Sequence, residues 1–580
     1  MKGISSVLAA FSLGLLGQVT AAPSELPPPT PALERRARPV VSIATGNITG
    51  TTGLLTEAFN GIPFAMPPTG SLRLKPPVRR TASLGVFDAS PIAPACPQFF
   101  ADVSSNDLVS QVLSTVTGLP LFQQALSVSE DCLSVTITRP LGTKAGDKLP
   151  VLFWIFGGGF ELGWSSMYDG APLVTNAIAM GKPYVFVAVN YRVGGFGFLP
   201  GKEILADGSA NLGLLDQRMG LEWVADNIAA FGGDPDKVTI WGESAGAISV
   251  FNQMALYDGN NKYNGKALFR GGIMNSGSIV PAAPVDCAKS QKVYSTVVAQ
   301  GGCAGAANTL ACLRALPYDK FLAAANSVPA ILSYNSVSLS YLPRPDGRVL
   351  TKSPELLVAG GQYAAVPMII GDQEDEGTLF SLFQSNITTT AKLVSYLSTV
   401  FFPEASTAQL AALVDTYDPF VTVGSPFGTG LLNEVYPGFK RLASILGDLV
   451  FTLTRRAFLN LALAKNPTVP AWSYLSSYDF GTPILGTFHG SDLLQVFYGL
   501  LPNYASKSIQ SYYANFVYNL DPNNASGGTS AKSKVALAWP QWAQDKQLMQ
   551  FFSDRGALLK DDFRSDSYQW IAANVAALHI

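Results

Sequence analysis

Five segments of the chain consist almost entirely of consecutive apolar, β-prone residues. They occupy residues 151–155, 184–189, 237–241, 272–274 and 366–370. Since successive side chains of a strand point to opposite faces, a run without polar alternation predicts a strand that is covered on both faces. Segments with helical periodicity lie between these runs, as at residues 214–231. The alternation predicts an α/β fold with a large, mostly parallel central sheet flanked by helices.

The N-terminal residues have the pattern of a secretory signal. One lysine, an apolar stretch and three small residues are followed at once by prolines, which cannot continue a helix. We therefore expect a signal peptide over residues 1–21, and the pair Arg35-Arg36 indicates a propeptide over residues 22–36. No later apolar run approaches the ~18 residues of a membrane span. The expectation is one secreted domain over residues 37–580 without an integral membrane anchor.

Three glycosylation sequons agree with this route. They begin at Asn47, Asn386 and Asn524. Because N-glycosylation takes place in the secretory pathway, all three are candidate sites in an extracellular protein.

The charge balance argues against nucleic acid as a partner. The chain has 39 Lys and Arg against 41 Asp and Glu, a formal net charge of −2, and no block of like charges. Only two histidines are present, and no C-x-x-C or H-E-x-x-H string accompanies them. The ligand sets typical of zinc are therefore missing. We expect no metal and no cofactor.

A serine in a G-x-S-x-G string is the candidate nucleophile. Gly242-Glu-Ser-Ala-Gly246 stands between the predicted strand 237–241 and a helical segment at residues 245–254. This strand–turn–helix context is what a nucleophile elbow requires. At the helix N-terminus the dipole favours negative charge developing on Ser244.

The base must be one of two histidines, since a serine at its ordinary pKa is a poor nucleophile. His579 is the penultimate residue, and chain ends fray. A base has to keep hydrogen-bond geometry, which favours His489.

The acid that orients the base should follow a strand between nucleophile and base. Four carboxylates follow the predicted strand 366–370: Asp372, Glu374, Asp375 and Glu376. Their spacing does not choose among them, and the three that are not the acid are expected to be solvated loop charges.

A glycine run supplies candidate oxyanion donors. Gly157-Gly158-Gly159 follows the strand 151–155, where N–H groups free of side chains can point at an oxyanion. The N–H of Ala245, directly after the nucleophile, would join them.

Five longer strings resemble the type-B carboxylesterase/lipase family. They are Ser129-Glu-Asp-Cys-Leu133, Phe156-Gly-Gly-Gly-Phe-Glu-Leu-Gly163, Asn190-Tyr-Arg-Val193, Gly232-Gly-Asp-Pro-Asp-Lys-Val-Thr-Ile-Trp-Gly-Glu-Ser-Ala-Gly246 and Gly371-Asp-Gln-Glu-Asp-Glu-Gly377. Two more, Tyr341-Leu-Pro-Arg-Pro-Asp-Gly347 and Leu485-Gly-Thr-Phe-His489, resemble its fungal branch of Candida rugosa-like lipases and sterol esterases. The similarity runs from about residue 40 to the end of the chain.

The resemblance implies an α/β-hydrolase fold and a set of site residues. It makes Glu376 the acid, and Gly158, Gly159 and Ala245 the oxyanion donors. It implies the disulfides Cys96–Cys132 and Cys303–Cys312, which leaves Cys287 unpaired. Val337 and Leu339 are implied to line the substrate site, where Leu379 and Phe380 are expected as well because they follow Glu376 by three and four positions.

The loop between the first two cysteines, residues 96–132, carries an amphipathic pattern. Leu108, Val112 and Val116 recur at helical spacing, and no Lys or Arg occurs from residue 97 to 138. One interpretation is a surface helix that is permanently docked on the core. The family resemblance favours the other, a lid that opens at a lipid surface.

These observations predict a secreted serine ester hydrolase acting on long-chain acylglycerols, steryl esters or both. Its partner would be a lipid ester at an oil–water interface, and a homodimer through the lid region is a further hypothesis. A short-chain carboxylesterase without interfacial behaviour is the main alternative. A catalytically dead adhesion relative is a remote one, because nucleophile, base and acid are all present.

Overall fold

The uninterrupted apolar segments form the middle of a large mixed sheet. The computed structural model describes residues 37–99, 112, 127–478, 482–498, 502–523 and 537–580. Its strands are β1 Val40–Ile43, β2 Gly46–Thr49, β3 Thr51–Thr52, β4 Thr56–Pro63, β5 Gly85–Asp88, β6 Ser134–Pro140, β7 Leu149–Ile155, β8 Val185–Val189, β9 Gly233–Glu243, β10 Lys262–Tyr263, β11 Lys266–Ala267, β12 Gly271–Asn275, β13 Met368–Gln373, β14 Ala471–Ser476, β15 Gln547–Phe551 and β16 Gly556–Lys560.

The main sheet has the order β16-β15-β14-β13-β12-β9-β7-β8-β6-β4-β3. Neighbours from β15 to β8 pair in parallel, whereas β16 at one edge and β6, β4 and β3 at the other pair antiparallel. All residues of β8 and β12 are buried, so both faces of the sheet are covered. The predicted large, mostly parallel sheet is confirmed.

Helices pack around this sheet and connect its parallel strands. The α-helices of the described residues span Ala171–Ala179, Gly194–Gly197, Lys202–Asp207, Leu212–Asn227, Ala245–Gly259, Ala288–Gln300, Thr309–Ala315, Tyr318–Ala325, Pro354–Gly360, Thr390–Tyr396, Thr407–Asp415, Phe439–Gly447, Leu453–Lys465, Ser491–Leu493, Tyr504–Asn519, Trp542–Asp545 and Ser565–Asn574. None of the helices in this part of the chain combines the length and apolarity needed to cross a bilayer.

The connections at one edge of the sheet carry the predicted site residues. Ser244 directly follows β9, Gly157 lies two residues after β7, and Glu376 lies three residues after β13. His489 lies on the connection that leaves β14. Because β7, β9, β13 and β14 run in parallel, their carboxyl ends meet at the same edge, which is where open α/β sheets place their ligand sites.

Two disulfides are formed, and they are the two that the resemblance implies. Cys96 bonds Cys132, with Cα atoms 5.1 Å apart, and Cys303 bonds Cys312, with Cα atoms 5.8 Å apart. Cys287 is the free thiol of the described residues. The predicted signal peptide, the propeptide, the sequon at Asn524 and nearly all of the lid helix lie outside the described residues.

Candidate active site

The nucleophile position is a tight turn between β9 and the helix Ala245–Gly259. Ser244 adopts φ 58° and ψ −126°, in the positive-φ region that residues with side chains rarely occupy. Its N–H donates to the carbonyl of Asn275 at 2.8 Å, which holds the turn. A Cβ at Gly242 would collide with the backbone of Gly246, so the turn needs glycine there. The strained turn presents the hydroxyl at the helix N-terminus.

Ser244, His489 and Glu376 form a continuous hydrogen-bonded chain. His489 Nε2 lies 2.7 Å from Ser244 Oγ, and His489 Nδ1 lies 2.5 Å from Glu376 Oε2. The other oxygen of Glu376 accepts from the N–H of Gln373 at 2.7 Å. All three side chains are buried. This geometry is that of a serine with its base and an orienting acid.

His579 lies elsewhere, with its Nε2 2.8 Å from Glu355 Oε1. It borders none of the space around Ser244. The choice of His489 over His579 therefore agrees with the placement of both rings.

The expectation that the other three carboxylates are solvated is wrong for Asp372 and Asp375, whereas Glu374 is half-buried. Asp372 is fully buried and pairs with Arg455 at 2.9 Å. Asp375 is 3% exposed and accepts from the hydroxyl of Ser425 and the N–H of Thr487. These partners lie 50 to 112 residues away along the chain, so distant segments cover a loop that looks solvent-exposed in sequence.

The acid can be tested with a matched pair of variants. Glu376→Gln should lower kcat/KM by roughly 10⁴, because the amide no longer fixes the imidazole tautomer or stabilises the imidazolium. Half-buried Glu374, which has no contact with His489, is the control, and Glu374→Gln should stay within about threefold. Steady-state hydrolysis of a soluble p-nitrophenyl ester measures both. A larger loss of kcat/KM in Glu374→Gln than in Glu376→Gln would assign the role of the acid to Glu374.

The contact between Glu376 and His489 also predicts a pH effect. Burial of the imidazole lowers the pKa of His489, but the neighbouring carboxyl groups, Glu376 foremost and then Glu243, together raise this pKa to about 9. The base is active when neutral, so the rate falls as the pH drops through this pKa. Removing the charge at Glu376 should therefore shift the acid limb of the residual kcat/KM profile to lower pH, whereas Glu374→Gln should leave it in place.

A second carboxyl group lies beside the base and was not predicted. Glu243 Oε1 is 3.4 Å from His489 Nε2, and burial raises the pKa of Glu243 to about 8. At neutral pH this group is therefore mainly protonated, and in its ionised form it adds to Glu376 in raising the pKa of His489. Its position inside the G-x-S-x-G string is the sequence signal that could have found it.

Three residues with candidate backbone N–H donors border the space around the nucleophile. Gly158 and Gly159 adopt φ 106° and 63°, and Ala245 begins the helix after Ser244. In the described part of the chain no acceptor engages the N–H of any of the three. A Cβ at Gly159 would lie 2.6 Å from Ile331 Cδ1, so its space is already filled. Such free N–H donors beside a nucleophile can stabilise an oxyanion.

Two mostly apolar cavities meet at Ser244. We call cavity A the space that is bordered by Leu162, Met167, Leu379 and His489, and cavity B the space that is bordered by Ile248, Val337, Leu339 and Phe451. Ser244 and Phe380 border both. All four predicted substrate-contacting residues, Val337, Leu339, Leu379 and Phe380, thus lie around the nucleophile.

A buried carboxyl group supports the glycine loop and was also missed. Glu161 is fully buried, and its N–H donates to the carbonyl of Gly158 at 3.0 Å. Its Oε2 accepts from the N–H of Ile331 at 2.8 Å, and its carbonyl accepts from the N–H of Phe99. Glu161 therefore links the glycine loop to the cavity wall and to the base of the loop that Cys96 closes. Its position two residues after Gly159 is the sequence signal that could have identified Glu161.

Comparison with known proteins decides the family. The sequence profile of the carboxylesterase family matches residues 37–569. The chain belongs to the carboxylesterase family. This carboxylesterase is 60% identical to a secreted triacylglycerol lipase of Gibberella zeae, with 99% of each chain covered. It is 61% identical to secreted lipase 1 of Botryotinia fuckeliana, over 95% of each chain, and 45% identical to lipase 2 of Diutina rugosa, over 93% of this chain and 96% of that one.

A solved structure supports the same fold. The crystal structure of Aspergillus niger EstA matches with a TM-score of 0.77 at 25% identity, over 94% of this chain and all of that one. The α/β-hydrolase fold, the family resemblance and the activity of a carboxylic ester hydrolase are thereby confirmed. The expectation of a secreted enzyme agrees with the names of the two relatives that share 60% and 61% of their residues with this carboxylesterase.

Proposed function

We propose that this carboxylesterase is a secreted lipase that hydrolyses long-chain acylglycerols through an acyl-enzyme on Ser244. The observation that carries the proposal is the pair of apolar cavities meeting at a serine that is 2.7 Å from a histidine. Apolar walls on both sides favour a substrate with apolar groups on both sides of the ester. The relatives named as lipases support acylglycerols as the substrate, and steryl esters are the second substrate to assay.

In the proposed reaction, Ser244 Oγ attacks the ester carbonyl while His489 Nε2 takes its proton. Glu376 stabilises the imidazolium, and the N–H groups of Gly158, Gly159 and Ala245 stabilise the oxyanion. His489 then returns the proton to the departing alcohol. Water, deprotonated by the same imidazole, hydrolyses the acyl-enzyme and restores the serine.

We further propose that residues 96–132 form a lid over these cavities. The described base of this loop contacts the oxyanion loop, since Phe99 N–H donates to Glu161 and Gln98 Oε1 accepts from the N–H of Gly163 at 3.0 Å. Movement of the loop would therefore change the contacts that support the proposed oxyanion donors. We also propose a signal peptide over residues 1–21, a propeptide over residues 22–36 and a homodimer that forms through the lid region.

Glycosylation is also a proposal. Asn47 and Asn386 are both exposed, as an occupied sequon must be, and Asn524 lies outside the described residues.

The chain-length profile tests the substrate class. Each buried methylene is worth about 0.8 kcal/mol, or roughly fourfold in rate, while the cavity still has room. We expect kcat/KM to rise from acetate to octanoate and palmitate esters, and the rate to jump when the substrate passes from monomer to emulsion. Deleting residues 109–117 should abolish the jump and spare acetate hydrolysis. A flat or falling profile without a jump would indicate the short-chain carboxylesterase instead.

A further inference from the structure

A third cavity lies on the other side of the wall that closes cavity B. We call it cavity C. The wall is the segment of residues 337–340, in which Val337 borders cavity B, Ser338 and Ser340 border cavity C, and Leu339 borders both. Cavity C contacts neither Ser244 nor His489, so it is separate from the reacting groups.

Lys289, in the first turn of the helix Ala288–Gln300, extends into cavity C. Its Nζ donates to Ser338 Oγ at 2.6 Å and to the carbonyl of Val400 at 3.0 Å. Both partners are neutral, and no carboxylate in the described segments lies within 4.0 Å of this ammonium. Burial accordingly lowers the pKa of Lys289 to about 7. A desolvated cation without a counter-ion is costly, and an anionic ligand would remove that cost.

The other charged groups at cavity C leave it favourable to anions. Lys292, one turn along the same helix, borders the cavity, as do the carboxylates of Glu404 and of the terminal Ile580, whose oxygen accepts from Arg344 Nη1 at 2.6 Å. His579 borders it as well but is hydrogen-bonded to Glu355. Lys292 and Glu404 are exposed, so the cavity is open to solution.

The rest of the lining is a mixed wall in which apolar residues predominate, with hydroxyl and amide side chains such as Thr296, Ser327 and Asn335 among them. Val293, Val328, Leu339 and Val400 are among the residues that form this wall. A ligand that fits both the Lys289 ammonium and the apolar wall has a carboxylate at one end and a hydrocarbon chain attached to it.

We propose that cavity C binds a free long-chain fatty acid from solution, with its carboxylate on Lys289 and its chain along the apolar wall. The identity of the ligand rests on the proposed function, because hydrolysis of long-chain esters releases this acid. Cavity C would bind the fatty acid as product accumulates, and the acid bound there would not occupy the cavities at Ser244.

Laurate binding to an enzyme that cannot turn over is the test. Ser244 is first blocked with a short alkyl phosphonate, and radiolabelled laurate is added below its micellar concentration in equilibrium dialysis. We expect one laurate per chain, and Lys289→Met should weaken its Kd at least about tenfold, as loss of a charge-assisted hydrogen bond does. Lys289→Arg should keep the Kd within about threefold.

Two controls accompany these variants. Lys320→Met removes an exposed lysine from the helix Tyr318–Ala325 and should leave the Kd unchanged. Dodecanol, which has the chain but no charge, should bind at least about tenfold more weakly than laurate. Lys289→Met should fold, since Ser338 Oγ still donates to the carbonyl of Val400 at 2.8 Å, and unblocked hydrolysis of p-nitrophenyl butyrate reports this.

Three results would overturn the proposal: no saturable laurate binding, equal Kd values for the parent and Lys289→Met, or dodecanol binding as tightly as laurate. Because binding is measured on blocked enzyme, these results are independent of the chain-length profile. A short-chain profile with Lys289-dependent laurate binding would refute the lipase proposal and leave cavity C as a fatty-acid site.

Discussion

Ser244→Ala should lower kcat for a soluble p-nitrophenyl ester by roughly 10⁵–10⁶, the largest effect expected of any single substitution. The hydroxyl supplies the only nucleophile placed 2.7 Å from His489 in the described part of the chain. The residual hydrolysis of the variant would come from attack by water with the help of the oxyanion donors. This route is much slower than attack by the activated serine. The hydrolysis rate at saturating substrate measures the loss.

The fold should survive this change. The N–H of Ser244 keeps its bond to the carbonyl of Asn275, so the turn loses only a hydroxyl. Ser276 is a close control, since it is buried, has φ 55° and directly follows β12, the strand next to β9. Ser276→Ala should retain full activity, and both variants should unfold within a few degrees of the parent. Equal losses from Ser244→Ala and Ser276→Ala would point to general damage of the site.

His489→Ala should cost a similar factor of roughly 10⁵–10⁶, because nucleophile and base act as one unit. Without the imidazole, the proton of Ser244 has no acceptor, and the leaving alcohol has no donor. For the same reason, the double variant with Ser244→Ala should be hardly slower than either single one.

His579→Ala is the matched control, since these are the two histidines of the chain. It removes the contact with Glu355 and should lower Tm slightly, with kcat/KM within about twofold of the parent. The reverse ranking of the two histidine variants would assign the base to the end of the chain.

The three residues proposed to react could be predicted to lie together because their chemistry leaves few alternatives. Gly242 and Gly246 flank Ser244 for a steric reason that is visible in sequence, and with two histidines the base was nearly determined. The acid was different. Four carboxylates in five positions are equivalent by spacing, and only the family resemblance distinguished Glu376.

Features that depend on distant segments could not be predicted. Asp372 reaches Arg455 across 83 residues, so its burial is not visible in its own loop. Backbone pairing also extends strands beyond their apolar residues. The predicted strand 237–241 became β9, Gly233–Glu243, because Gly233 pairs with Leu149 of β7.

The antiparallel edge strands and one helix end show the same limit. Strands such as β6 and β16 mix polar and apolar residues and were not predicted. The predicted helix 214–231 is Leu212–Asn227 followed by a 3₁₀ turn that Gly232 ends with φ 87°. In each case hydrogen bonds between segments or within a turn decide the boundary, and the hydrophobic pattern carries little of that information.

The central claim, an acyl-enzyme on Ser244, is tested most directly by covalent trapping. A p-nitrophenyl alkylphosphonate mimics the tetrahedral intermediate and stays bound to the nucleophile. After one equivalent has reacted, mass spectrometry of the digested protein should find a single adduct, on the peptide that contains Ser244, in step with the loss of activity. Ser244→Ala should carry none. Stoichiometric labelling that persists in Ser244→Ala, or an adduct on another residue of the parent enzyme, would contradict the account.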